Sequence, residues 1–217
     1  MSSRTIGRAA LKGMLIGALC SATLPVFWSA QAQADPGCAD VAVVVARGTN
    51  EPGTLGTIVG DPLYAKVRGS AQVTTTSYAV DYPANPADPT SVRKGVADVV
   101  EYVTGALNRC PNQRFVMVGY SEGAIVMHGV LGEAAPLVPS SIAPLESRYQ
   151  APIVAVALFG DPGLIWRTGV PQRHRDNTRT YCTSGDPVCQ LGGAMPLAHV
   201  AYRDAVDDAA GFIAGKL

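Results

Sequence analysis

Continuous apolar runs alternate with amphipathic stripes along most of the chain. Asp40 precedes Val41–Ala46, an unbroken apolar run rich in valine that stops at Arg47-Gly48-Thr49. A strand covered on both faces reads this way, because neither side meets water. The β-branched content of residues 73–78 predicts a second strand. Residues 115–118, stopping at Gly119, predict a third, and Ile153–Phe159, stopping at Gly160, a fourth; Thr178–Tyr181 is a weaker fifth. Between them, Val92, Val96, Val99, Val103 and Leu107 recur at spacings of three and four. That spacing puts one apolar stripe on a helix over about residues 90–108. Residues 121–131 form a shorter apolar helix, and Tyr202, Val206, Ala209 and Ile213 mark a last one. Strands alternating with helices imply βαβ units, hence an α/β fold with a mostly parallel sheet and helices on both faces. Prolines mark residues 82–89 as a loop, and residues 162–177 also read as a loop. No internal repeat or low-complexity tract interrupts this pattern.

The N-terminus stands apart. Arg4, Arg8 and Lys12 precede an uncharged, largely apolar stretch over residues 14–27, and Ser29-Ala30-Gln31-Ala32-Gln33-Ala34 offers small-x-small cleavage sites. This is the layout of a secretory signal peptide over residues 1–34, with a mature domain over 35–217. A membrane anchor is the competing reading, but a spanning helix needs about 20 apolar residues and this stretch is shorter. Lipidation at Cys20 is disfavoured, since Leu19 before it is not small. The expectation is therefore an exported protein with no stable membrane span after cleavage, cell-envelope association being the alternative destination.

Removing the first 34 of 217 residues leaves 183, enough for one large core. The segment takes three basic residues and no acidic ones, so 14 basic and 17 acidic remain, a net charge of −3. No basic concentration points to nucleic acid. Arg167, Arg173, Arg175 and Arg179 are mixed with Asp176 and read as a solvated loop. Cys38, Cys110, Cys182 and Cys189 form an even set in an exported chain, which favours two disulfides. Of the three possible pairings we expect Cys38–Cys110 and Cys182–Cys189, the second closing a tight loop. A zinc site is the alternative, but no C-x-x-C pair is present.

Candidate chemistry centres on Gly119-Tyr120-Ser121-Glu122-Gly123, a G-x-S-x-G pentapeptide between an expected strand and an expected helix. That context is what a nucleophile elbow requires: a turn so tight that flanking side chains would clash, with the Ser exposed at the carboxyl edge of the sheet. An ordinary Gly-Ser turn is the bland reading, and the strand before and helix after argue against it. A Ser hydroxyl needs a base. His128 lies seven residues along the Ser121 helix and reads as a packing or helix-surface residue. His174, between Arg173 and Arg175, reads as solvated. His199 falls late in the chain, as the order Ser–Asp–His demands, and is the favoured base over a helix-cap role. For the acid that orients it, Asp161 directly follows a strand and Asp186 sits inside the Cys182–Cys189 loop. The residues alone leave both open.

Five segments stand out: Ala46-Arg47-Gly48-Thr49, the Ser121 pentapeptide, Ala157-Leu158-Phe159-Gly160-Asp161-Pro162, Cys182-Thr183-Ser184-Gly185-Asp186-Pro187-Val188-Cys189 and Ala198-His199-Val200-Ala201-Tyr202. Together they resemble the cutinase family, including its actinobacterial cutinase-like members. They run in the family's order from Cys38 almost to the C-terminus. The resemblance implies a small α/β-hydrolase without a large lid and a serine esterase cleaving carboxylic esters through an acyl-enzyme. It implies Asp186 as the acid, and Thr49 with the Glu122 amide as the oxyanion hole. It implies no metal and no cofactor, an ester substrate of lipid or polyester type, and a monomer. The family often carries Gln where this chain has Glu122. Its carboxylate is expected to turn to solvent or pair with an Arg. Leu191, Met195, Pro196 and Leu197, with the proline-rich loop, offer an apolar rim suited to acyl chains or a polymer surface. The competing functions are an esterase of acetylated polysaccharide, an esterase of cell-envelope lipids and a non-catalytic secreted binding module on the same fold.

Overall fold

The three inner strands of the sheet are short apolar runs buried on both faces, and the two edge strands are partly exposed. The computed structural model describes residues 37–133, 136, 138 and 140–217, all within the unit Ala34–Leu217. The expected signal segment lies outside the described residues.

Five strands, β1 (Val41–Ala46), β2 (Thr75–Ala79), β3 (Arg114–Tyr120), β4 (Ile153–Phe159) and β5 (Thr178–Tyr181), form one sheet in the order β2-β1-β3-β4-β5. Every pairing is parallel. All six residues of β1 are buried, as its run of apolar residues requires. Alternate side chains divide between the faces. Ala42, Val44, Phe115, Met117, Val156 and Leu158 pack on one side against helices α2 (Ser91–Arg109) and α3 (Glu122–Leu131). Val41, Val43, Val116, Val118, Ala157 and Phe159 pack on the other against α1 (Gly60–Ser70) and α5 (Arg203–Ala214). A single-turn α4 (Ser147–Gln150) leads into β4.

The expected α/β-hydrolase architecture is therefore present, with helices on both faces and no large lid among the described residues. Three findings refine the expectations. Helix α1 has no counterpart among the expected elements. It buries only Gly60, Leu63 and Val67, too sparse an apolar stripe to stand out beside Pro62. Strand β2 starts at Thr75 rather than residue 73, and each of its residues is only half-buried, as befits a sheet edge. The loops after β4 and before β5 contain two short 3₁₀ turns, Pro162–Leu164 and Gln172–Asn177.

The cysteines pair as Cys38–Cys110 and Cys182–Cys189, as expected. With their sulfurs joined in disulfides, no thiolate is left for the zinc alternative. Among the described residues, no helix is long and apolar enough to cross a membrane.

Candidate active site

Strand β3 ends at Tyr120 and α3 begins at Glu122, so the chain reverses through a single residue, Ser121. Its φ of 54° and ψ of −117° are a conformation that side-chain-bearing residues rarely adopt. The flanking glycines explain how such a turn is tolerated. A Cβ on Gly119 would lie 2.5 Å from the Gly123 carbonyl oxygen. One on Gly123 would lie 1.9 Å from the carbonyl oxygen of Ala46. Only glycine lets α3 start directly against the end of β1, and that contact brings the Arg47-Gly48-Thr49 loop beside Ser121.

Two loops complete the arrangement. His199 lies in the 3₁₀ turn Pro196–Val200, and its Nε2 is 2.9 Å from Ser121 Oγ. Its Nδ1 is 2.8 Å from Asp186 Oδ2. Tyr120 stacks on the imidazole, ring centroids 5.2 Å apart, and donates its hydroxyl to the His199 carbonyl. Gly160 leaves room on another side, since a Cβ there would sit 2.8 Å from His199 Cε1.

Asp186 is fully buried on the loop that Cys182–Cys189 closes. Oδ1 accepts from the Val188 amide at 2.8 Å, and Oδ2 from the Tyr202 hydroxyl at 2.5 Å as well as from His199. Burial alone pushes this carboxyl up, but the bonds from Tyr202, His199 and Val188 outweigh it and hold it below the ordinary carboxylate value. Tyr202, expected as a helix-stripe position and as the end of the family-like segment 198–202 but given no role, bonds to the candidate acid. The available signal was its place three residues after His199, since a tyrosine there can reach the same carboxylate.

The second candidate acid is elsewhere. Asp161 is buried and receives His128 Nε2 at 3.0 Å, together with the Gly163 amide. Among the described residues there are thus two His–Asp pairs, and of these the Asp186–His199 pair reaches Ser121. His128 is a packing residue, as one of its expected readings had it. His174 overturns its expectation: it is buried rather than solvated, its Nε2 bonded to Gln150 at 3.0 Å. The arginines flanking it are exposed, so the loop's charge was a poor guide to this one inward side chain.

Glu122 is the second correction. Its side chain neither turns to solvent nor meets an arginine. It is buried, with Oε2 2.5 Å from the Thr49 hydroxyl and Oε1 2.5 Å from the Ser91 hydroxyl. Two short polar side chains from distant segments satisfy the carboxylate, which sequence spacing could not display. Thr49 itself sits on a braced loop. Arg47 Nη2 donates to the Tyr82 carbonyl, the Tyr82 hydroxyl donates back to Arg47, and the Asn50 amide donates to Ala84 at 2.7 Å. Beneath it, the buried Glu51 carboxylate accepts from the Gly48 and Ile58 amides, both at 2.7 Å.

The segment that leads to and carries His199 exposes apolar side chains. Leu191 and Leu197 are 84% and 80% exposed, and Met195 and Val200 are each more than half exposed. So much exposed leucine beside a polar cluster is unusual for a surface with no partner.

A family model described as Cutinase matches residues 37–217. A cutinase of Botryotinia fuckeliana is 36% identical over 187 residues, covering 81% of this chain and 82% of that protein. A Mycobacterium tuberculosis protein described as Phospholipase Culp4 is 33% identical over 213 residues, covering 95% and 92%. Among solved structures, a Trichoderma reesei cutinase bound to a phosphonate inhibitor superposes with a TM-score of 0.65 at 32% identity, covering 82% of this chain and 76% of that one.

Proposed function

Given that the chain belongs to the cutinase family, we propose that this carboxylic ester hydrolase works through Ser121, His199 and Asp186 on esters of lipid or polyester type. The observation that carries the reading is the unbroken line from Ser121 Oγ through both imidazole nitrogens to the buried Asp186 carboxylate. As the Ser121 oxygen attacks the ester carbonyl carbon, His199 Nε2 takes its proton. Asp186 holds Nδ1 as the donor and stabilises the imidazolium. The amides of Thr49 and Glu122 receive the negative charge that develops on the carbonyl oxygen. Collapse of the tetrahedral intermediate breaks the ester C–O bond, and His199 returns the proton to the departing alcohol. Water then attacks the acyl-enzyme by the same route, releasing the acid and restoring Ser121.

The substrate class follows from the rim. Leu191, Met195, Leu197 and Val200 lie within eight residues of His199 along the chain and present methyl groups to solvent. They fit an acyl chain or a polymer surface better than an acetylated polysaccharide. Relatives described as a cutinase and as a phospholipase agree with such a substrate. A non-catalytic binding module has no use for a strained serine aligned with a histidine and a buried acid. Residues 1–34 act as the export signal, and the mature chain works outside the cell as a monomer. N-terminal sequencing of exported protein should begin at Asp35.

The test is direct. A fluorophosphonate probe should label Ser121 alone. Ser121→Ala should lower kcat on p-nitrophenyl esters by several orders of magnitude. Undiminished turnover by that variant refutes the mechanism, and a preference for acetyl over butyryl or longer esters refutes the substrate class.

A further inference from the structure

The Glu122 carboxylate is buried next to Ser121 in the chain, and the mechanism above does not use it. An ionised carboxylate has only acceptor sites, whereas a hydroxyl has one proton. Thr49 Oγ1, 2.5 Å from Oε2, must therefore commit its proton to Glu122. Ser91 Oγ, 2.5 Å from Oε1, does the same, and its oxygen is left to accept the Asn85 amide at 3.4 Å. The three residues come from three segments: the loop after β1, the first position of α2 and the first position of α3. The proline-rich loop ties them together, since it bonds to Arg47 and Asn50 at one end and runs into Ser91 at the other.

We infer that Glu122 and Ser91 are positioning residues that turn the Thr49 hydroxyl away from the reacting carbonyl, so that the oxyanion is held by two amides and not by a third, hydroxyl donor. The inference rests on the esterase reading and deepens it. It concerns which donor atoms of Thr49 face the oxyanion, and it makes the side chain at position 122 the element that decides.

Exchange of the carboxylate for a carboxamide reverses the polarity at one end of the clamp. In Glu122→Gln, the Asn85 amide already takes one of the two acceptor sites of the Ser91 oxygen, which favours the arrangement in which the Ser91 hydroxyl donates to the carboxamide oxygen. The carboxamide nitrogen then points at Thr49 Oγ1 and donates to it. That frees the Thr49 proton for the oxyanion. An added preorganised donor acts only as charge develops, so it appears in kcat rather than in KM.

The experiment is a double-mutant cycle in kcat on p-nitrophenyl butyrate, with Thr49→Val removing the hydroxyl and keeping the amide. Glu122→Gln should raise kcat about tenfold, with KM changed less than about twofold. Thr49→Val should cost at least about tenfold more in the Glu122→Gln background than in the native one. Ser91→Ala combined with Glu122→Gln should remove the gain, because nothing then orients the carboxamide. A purely structural role would move thermal stability and leave this coupling at unity. An equal cost of Thr49→Val in both backgrounds overturns the inference. Should the native chain hydrolyse no p-nitrophenyl ester, or Ser121→Ala retain turnover, the esterase reading fails by itself. The clamp is then read by NMR of the free protein. Slowly exchanging Thr49 and Ser91 hydroxyl protons should correlate with the Glu122 carboxylate carbon, and a proton carried by Glu122 itself overturns the assignment.

Discussion

Tyr202→Phe removes one hydroxyl of the site, whose short bond goes to Asp186 and whose oxygen also accepts the Thr183 amide at the longer distance of 3.4 Å. The phenylalanine ring keeps the edge-on contacts that Tyr202 makes with Tyr120 and Phe159, at centroid distances of 5.7 and 5.9 Å. What disappears is the hydroxyl that donates to Asp186 Oδ2 at 2.5 Å, between two groups that are 1% and 0% exposed. A bond to a charged group is worth about 1.5–3 kcal/mol. For a domain of this size each kcal/mol moves Tm by about 2–4 °C, so a fall of about 3–12 °C is expected at pH 7. The pH dependence has a definite sign. Against the upward push of burial, Tyr202, His199 and Val188 together hold the Asp186 carboxyl below its ordinary value. A depressed carboxyl contributes stability that is fully present above the unfolded value of about 3.9 and is lost as pH falls through the folded value. Without the Tyr202 donor the folded value rises, so the variant should lose stability at a higher pH than the native chain. Thermal unfolding between pH 3 and 7 measures both the loss at neutral pH and the shift of the acid transition. A Tm within about 1 °C of native at pH 7, with an unmoved acid transition, would show that this bond contributes nothing to holding Asp186.

Asp186→Asn should lower kcat by roughly 10⁴, as in other serine triads. Asp161→Ala should instead leave kcat within about tenfold and cost about 1–3 kcal/mol in denaturant unfolding, because it strands the buried His128 Nε2. The reverse ranking refutes the acid assignment while leaving esterase chemistry possible. Selective reduction of Cys182–Cys189, whose residues are seven apart, should lower stability by about 2–3 kcal/mol in the chain-entropy model. It should abolish most activity too, since Asp186 rides on that loop, and full activity after verified reduction refutes the link. Burial first, then the Arg173 charge, hold His174 below the usual histidine value. Its contribution to stability is therefore present above about pH 6.5 and lost as pH falls below it, and His174→Gln should flatten the Tm profile between about pH 7 and 5.

Local pattern alone was enough for much of the architecture. Val41–Ala46 and Ile153–Phe159 are strands with the bounds read from composition, because burial on both faces leaves an unbroken apolar run; Thr178–Tyr181, a partly exposed edge strand, also has its expected bounds but carries a weaker signal. The stripe from Val92 to Leu107 marked α2, because a helix with one buried face repeats its apolar positions every three or four residues. The elbow was legible for a related reason: Gly119 and Gly123 report a turn with no room for a Cβ. Export-type cysteine usage pointed to both disulfides.

Tertiary structure decided the partners. Residue by residue, Asp161 and Asp186 were equally good acids. They differ only because the sheet order carries His128 to one and the closed loop carries His199 to the other. His174 looked solvated among arginines, yet it turns inward to Gln150, 24 residues away. Glu122 looked like an exposed charge in the first turn of a helix, and it is buried by hydroxyls 73 and 31 residues distant. Periodicity records whether a position meets core or solvent, a property of the element it sits on. Which polar group answers a buried charge depends on segments that become neighbours only after the sheet is assembled, and no local spacing encodes that.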